Sequence, residues 1–204
     1  MKRVYVFDFD GTLTIRDTFV AFIRYVFGIR KTLCGLFLYL PQLLLMKLGL
    51  YPNWKVKQRV FAHFFRGMTP GRFDGYCRAF ANTHAHLLRP EGIKEVQRVL
   101  SLDVDVIIVT ASVENWVRPF FSGVACKHDG ISKAVIVGTK VEDKDGRLTG
   151  RFLTENCYGQ EKVRRLTAIF PNRSDYRLVA YGDSHGDKEM LAYADEAHYK
   201  PFRQ

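Results

Sequence analysis

Val4-Tyr5-Val6-Phe7-Asp8-Phe9-Asp10-Gly11-Thr12 is the passage on which the reading of this chain turns. Apart from Asp8, Val4–Phe9 is a short run of β-branched and aromatic residues, which predicts a buried strand. The run ends in acids. Side chains two apart on a strand point the same way, so Asp8 and Asp10 share a face. Burying both without a cation is costly. A hard divalent ion that takes oxygen ligands, such as Mg²⁺, would offset that cost. Gly11 lets the chain turn sharply after the pair. Taken alone, the passage could also be a loop carrying two solvated acids.

More strands of the same kind follow downstream. Val104–Val109 is apolar apart from Asp105, with Ile107 and Ile108 at its centre, and Leu178–Tyr181 is apolar throughout; Ala197–Tyr199 makes a shorter fourth. Between them lie helical patterns. Pro90-Glu91-Gly92 opens one, with Ile93, Val96, Val99 and Leu100 at helical spacing. Gln160–Phe170 is a second and Lys188–Ala194 a short third. Strands alternating with helices imply a mainly parallel sheet covered on both faces. Ala134–Glu142 and Leu148–Leu153 flank Asp145-Gly146, a dipeptide that favours positive φ in a tight turn, and predict a β-hairpin.

Charge and composition divide the chain further. It has 204 residues, 47% hydrophobic and 25% charged, which suits a folded domain and excludes a disordered one. The net charge of +10 is concentrated: residues 18–73 hold nine basic residues and no acid, with 12 of the 28 aromatic residues. Residues 18–88 are helical in pattern and interrupt the strand–helix alternation. They predict an insertion between the first and second strands, above the carboxyl ends of the strands, where open α/β sheets bind ligands. The expected division is a core of residues 1–17 and 89–204 with an inserted helical module, 18–88. Cys34, Cys77, Cys126 and Cys157 form no CxxC pair, which argues against a zinc site or a disulfide framework and for free thiols in a reducing compartment. The first ten residues do not read as a secretory leader, because acids interrupt the apolar run.

Three further clusters fall at strand ends or helix starts. Thr110, with Ala111 and Ser112, follows the second strand, where a hydroxyl can donate to a phosphate oxygen. Lys162 sits near the start of a helix and can set a point charge against a phosphoryl group; a lone lysine there would ordinarily be solvated. Gly182-Asp183-Ser184-His185-Gly186-Asp187 follows the third strand. Parallel strands bring their ends together, so Asp183 and Asp187 are expected beside Asp8 and Asp10. Four carboxylates at one sheet edge repel unless a cation neutralises them.

In this order, DxDGT, a hydroxyl after an apolar strand, Lys and GDxxxD resemble the haloacid dehalogenase superfamily of phosphohydrolases, over almost the whole chain. The hairpin 134–153 and Thr149-Gly150 are similar to the phosphoserine phosphatase-like subgroup (subfamily IB) with an inserted helical cap. The resemblance implies a Rossmann-like three-layer sandwich with a parallel central sheet. It implies that Asp8 attacks phosphorus and forms an aspartyl-phosphate, and that Asp10 protonates the leaving oxygen and then activates water. It further implies that Thr110 and Lys162 hold the phosphoryl oxygens. Mg²⁺ would sit on Asp8, the Asp10 carbonyl and Asp183, with Asp187 close behind. Gly11, Thr12, Asp17, Ala111 and Ser112 neighbour these motifs and are expected substrate contacts, as are Arg16 and Glu114.

The expected partner is a phosphomonoester, and its class stays open. Asp17 could meet the ammonium of phosphoserine, as a Glu at this place does in phosphoserine phosphatases. Yet Gly11 and Thr110-Ala111-Ser112 depart from the Ser and Ser-Gly-Gly common there. Thr32–Met46, TLCGLFLYLPQLLLM, is 15 residues without a charge between Lys31 and Lys47, with Pro41 predicted to break its helix. It reads either as core between the inserted helices or as a segment lying in a membrane surface, with basic flanks drawn to anionic lipid. The second reading, with Phe22-Ile23-Arg24-Tyr25, is similar to the phosphatidylglycerophosphatase C-type phosphatases. It implies a lipid phosphate substrate and a cytoplasmic chain held peripherally at the membrane. A basic, aromatic-rich module could bind nucleic acid instead, but its long apolar runs argue against that, and no nucleic-acid partner is expected.

Overall fold

The computed structural model describes residues 2–102, 104–122 and 134–203; Cys126 lies outside them. Five strands form one parallel sheet: β1 (Lys2–Asp8), β2 (Asp105–Val113), β3 (Ala134–Thr139), β6 (Tyr176–Gly182) and β7 (Glu196–Tyr199), in the order β3-β2-β1-β6-β7. The strand–helix alternation of the sequence is thus a doubly covered α/β sheet. Period-two alternation assigns each side chain of β1 to a layer. Val4 and Val6 join Ile107, Val109, Leu178 and Ala180 on one face, beneath Val163 and Leu166 of α7 (Gln160–Ile169) and Met190 of α8 (Lys188–Tyr193). Tyr5 and Phe7 join Val106, Ile108, Val179 and Tyr181 on the other, beneath Val96 and Val99 of α5 (Pro90–Leu100). Phe7 and Tyr181 stack with ring centroids 4.4 Å apart.

The strand order reverses at β1. From β1 the chain moves through β2 to β3 on one side, then crosses to β6 and β7 on the other. The crevice at such a switch point, beyond the carboxyl ends of the strands, is where ligands bind in open α/β sheets. Asp8 ends β1 at that place.

Residues 18–83 form four helices: α1 (Thr18–Leu38), α2 (Leu40–Lys47), α3 (Asn53–Phe65) and α4 (Pro70–Thr83). Gly28, at φ +77°, interrupts α1. Pro41 falls in the first turn of α2, so the expected break at this proline separates two helices. An aromatic cluster binds α1, α3 and α4 to the short helix α6 (Glu114–Val117). Phe22 sits 5.4 Å from Phe65, 5.3 Å from Phe80 and 5.1 Å from Trp116, ring to ring. The chain enters and leaves this segment side by side: Ile15 N–H donates to Leu87 at 2.8 Å and Arg89 N–H to Leu13 at 2.8 Å.

Two expected elements differ in extent. The second strand runs on to Val113, with a register shift against β3 between Val109 and Val113, so Thr110–Ser112 continue the strand instead of following it. The predicted strand Ala134–Glu142 is two strands. Ala134–Thr139 pairs in parallel with β2, and only β4 (Val141–Lys144) pairs with β5 (Arg147–Phe152) in the hairpin. Lys140 marks the change of partner; its N–H donates to Thr154 and its carbonyl accepts from Leu153. Asp145 and Gly146 turn the hairpin at φ +53° and +71°. The hairpin packs on α3, with Phe152 N–H donating to Gln58 at 2.9 Å.

Candidate active site

The turn after β1 is built around a close approach. Gly11 has φ +84°, and a Cβ at this position would lie 2.6 Å from Asp183 Oδ2. Only glycine admits both the conformation and the contact. The turn carries Thr12 back under the strand, where its hydroxyl lies 3.0 Å from Asp8 Oδ2 and 3.3 Å from Asp183 Oδ1. Acids 175 residues apart in sequence are thereby joined through one threonine.

Asp8, Asp183 and Asp187 are all buried and present carboxylate oxygens within 4.8 Å of one another. Lys162, 2% exposed, reaches in from the first turn of α7 and donates to Asp8 Oδ1 at 2.5 Å, Asp187 Oδ1 at 2.6 Å and the Val109 carbonyl at 3.3 Å. Asp187 closes a capping box, accepting from the N–H groups of Asp183 and Ser184 and from the Ser184 hydroxyl. Arg203 forms an ion pair with Asp183. Burial pushes the Asp8 carboxyl up to about 7; Lys162 opposes this, while the charges of Asp187 and Asp10 add to it. Burial also disfavours ionised Asp187, but Lys162 and the Ser184 hydrogen bonds outweigh it and hold this carboxyl below its usual range. Burial would lower Lys162, but Asp8 and Asp187 more than compensate and its pKa is raised. Lys162 is therefore a charged ammonium.

Three oxygen-bearing acids face one buried ammonium and one arginine, with Asp10 adjacent, so the cluster lacks positive charge. That donor set suits a hard dication held by Asp8, Asp183 and Asp187. Glycine at position 11 lets the Asp183 carboxylate come close to the turn after β1 and so share the cluster with Asp8.

Asp10 points away from this cluster. Its Oδ1 accepts from Thr18 N–H at 2.7 Å and the Thr18 hydroxyl at 2.6 Å. Its Oδ2 accepts from the Ser112 hydroxyl at 2.5 Å and faces the Thr110 hydroxyl at 3.4 Å. Trp116 Nε1 donates to Thr18 Oγ1 at 3.1 Å, extending the chain of hydrogen bonds into the aromatic cluster.

A cavity of about 570 Å³ opens above these groups. Asp8, Asp10, Gly11, Ala111, Lys162 and Asp183 form its floor, and Arg16, Asp17, Lys57 and Tyr158 its polar rim. Val20, Leu36, Leu43, Met46, Val56 and Val60 form an apolar wall from α1, α2 and α3. Of the expected site residues, Thr12, Thr110, Ser112 and Asp187 lie beneath this floor, each engaged in hydrogen bonds. Asp17 reaches the cavity but also caps α1, accepting from Phe19 N–H at 2.8 Å; burial and then the charge of Asp10 raise its pKa. Glu114 is elsewhere: it accepts from Gly138 N–H and pairs with Arg118.

Lys57, Thr18, Trp116 and Arg203 carry no motif and went unpredicted. Lys57 donates to the Ala111 carbonyl at 2.8 Å from the middle of α3. Arg203 had one available signal: a final parallel strand, β7, delivers the residues after it to the same sheet edge as Asp8.

Residues 5–192 match the haloacid dehalogenase-like hydrolase family. Protein CicA of Caulobacter vibrioides is 36% identical over 200 residues, covering 97% of this chain and 85% of the relative. A crystal structure of a Bordetella pertussis Tohama I protein of unknown function superposes with a TM-score of 0.75 at 17% identity, covering 94% of this chain and 87% of that one. Phosphoserine phosphatase from T. onnurineus has a TM-score of 0.60 at 20% identity, covering 98% and 84%. The phosphoserine phosphatase is a structural neighbour that shares the fold, and nothing in these likenesses supports the expected phosphatidylglycerophosphatase C resemblance.

Proposed function

The chain belongs to the haloacid dehalogenase-like hydrolases, and from that membership we propose that it hydrolyses phosphomonoesters through an aspartyl-phosphate on Asp8. The observation that carries this reading is the buried cluster of Asp8, Asp183 and Asp187 with Lys162 at the cavity floor. A carboxylate oxygen of Asp8 forms the new bond to phosphorus as the ester oxygen leaves. Asp10 donates the proton that the leaving oxygen takes, then accepts one from the water that cleaves the aspartyl-phosphate. Thr18, Ser112 and Trp116 fix the Asp10 carboxyl in place for both transfers. Lys162 stabilises the negative charge of the phosphoryl oxygens and keeps Asp8 oriented. Thr110 braces this arrangement from below through Asp10 and the Ser112 N–H. A Mg²⁺ ion held by Asp8, Asp183 and Asp187 would supply further charge stabilisation and screen the acids from one another. The helices of residues 18–88 act as a cap that closes the cavity against water.

Kinship with phosphoserine phosphatases favours a small soluble phosphomonoester, with Asp17 as the polar contact for its other end. A second reading is favoured by the apolar wall: Val20, Leu36, Leu43 and Met46 offer a polar metabolite no hydrogen bond. An acyl-bearing phosphomonoester would bury its tail there. Asp8→Asn keeps size and shape but removes the nucleophile, so Mg²⁺-dependent phosphate release should vanish while the circular dichroism spectrum is retained. Full activity in that variant would overturn the assignment. Parallel assays on phosphoserine and on a lipid phosphate in vesicles separate the two substrate classes.

A further inference from the structure

Helix α2, Leu-Pro-Gln-Leu-Leu-Leu-Met-Lys, contains no buried residue. Only Leu43 and Met46 of it pack against the core, while Leu40, Leu44 and Leu45 stand exposed, more apolar surface than core packing explains. The exposure continues on both sides of α2. Among the described residues, ten of the eighteen exposed large apolar side chains fall between Ile29 and Trp54. Leu33, Phe37, Leu38, Leu44, Leu48 and Leu50 stand between 53% and 73% exposed. Exposed apolar side chains concentrated in this way mark an interaction site.

Charge indicates what covers it. Arg30, Lys31, Lys47 and Lys55 are exposed around the apolar residues, and none of them pairs with a carboxylate among the described residues. No acid occurs between Thr18 and Phe73. An apolar face bordered only by cations complements an anionic bilayer, where acyl chains take the leucines and headgroups the lysines. Trp54, 44% exposed beside Lys55, suits the headgroup level. No single described helix is long and apolar enough to cross a membrane, and α1 and α2 meet at a bend of 66°. That geometry fits lying in the surface better than spanning it. Leu36, Leu43 and Met46 of the same two helices line the catalytic cavity.

We propose that the elbow of α1 and α2 docks on an anionic lipid bilayer and so seats the entrance of the cavity at the headgroups. The assignment of the seated cavity as a phosphatase site rests on the function proposed above; the docking itself does not. The test is flotation of the full chain, carrying Asp8→Asn so that turnover plays no part, with vesicles of phosphatidylcholine alone or mixed with phosphatidylglycerol. Binding is expected to the mixed vesicles, weakened by raised salt. Adding Phe37→Ser, Leu38→Ser and Leu48→Ser should weaken it at least about tenfold, as three exposed anchors are lost. In the otherwise native chain the same triple change should leave hydrolysis of soluble p-nitrophenyl phosphate unaltered, showing an intact fold and site. Flotation with neither vesicle, or equal flotation of the triple variant, would overturn the proposal. So would a dimer in free solution that the triple change dissolves, because a second copy would then cover the face. Vesicle binding by a chain without phosphatase activity would sustain the docking and reject the function.

Discussion

At the scale of single residues, the site depends on side chains that hold other side chains still. Thr18 spends both its N–H and its hydroxyl on Asp10, and Trp116 donates to the same hydroxyl. Thr18→Val keeps the volume and the backbone donor but removes the hydroxyl and leaves the indole N–H without its acceptor. The expected result is a fall of about tenfold or more in kcat with KM little changed, since the proton transfer proposed for Asp10 would lose its alignment. A KM effect alone, in steady-state assays, would place Thr18 in substrate binding instead. Gly11 is constrained more simply. Gly11→Ala forces a left-handed backbone at a cost of about 1–2 kcal/mol and drives a methyl against Asp183. Loss of activity together with a lowered urea midpoint is expected. The motif residues were legible in the sequence because strand ends collect acids at fixed spacing. Thr18, Trp116 and Lys57 were not, because ordinary helical residues acquire these roles only through tertiary placement.

At the scale of elements, pattern and partner can disagree. The run Ala134–Glu142 reads as one strand, since nothing between Gly138 and Val141 signals a turn; the chain instead changes sheets at Lys140 without bending back. Thr110-Ala111-Ser112 reads as the loop after a strand, yet it remains extended while its pairing to β3 shifts. Thr32–Met46 shows the reverse case. Its composition allowed core or surface, and only the fold showed α2 split between them, with Leu43 and Met46 against the core and Leu40, Leu44 and Leu45 exposed. The edge strand β7 offers a pH test. Asp195 accepts from Leu178 N–H and from Arg173, both at 2.7 Å, and these contacts hold its carboxyl below the usual 3.8. A carboxyl lowered by folding stabilises the native state above its unfolded value, and that contribution disappears as pH falls through the lowered folded value. The stability advantage of the native chain over Asp195→Asn should therefore be full near neutrality and shrink on acidification below pH 3.8. Urea unfolding at several pH values measures it; a gap that stays constant would show that Asp195 acts through packing.

At the scale of the whole molecule, one sheet edge gathers the groups on which the proposed function rests. β1, β2 and β6 bring Asp8, Ala111 and Asp183 to one crevice with Thr110 beneath it, α7 delivers Lys162, and α1, α2 and α3 wall it. The parallel sheet and its helical covering could be anticipated from strand–helix alternation. The orientation of the inserted helices could not, because it follows from the packing of Phe22, Phe65, Phe80 and Trp116, which periodicity does not specify. The account stands on Asp8 accepting the phosphoryl group. Acid quenching during turnover, borohydride reduction and peptide mass spectrometry would locate it directly, since reduction converts an aspartyl-phosphate to homoserine. Homoserine at position 8, absent without substrate, is the predicted result; reduction at another acid, or at none while phosphate is being released, would contradict it.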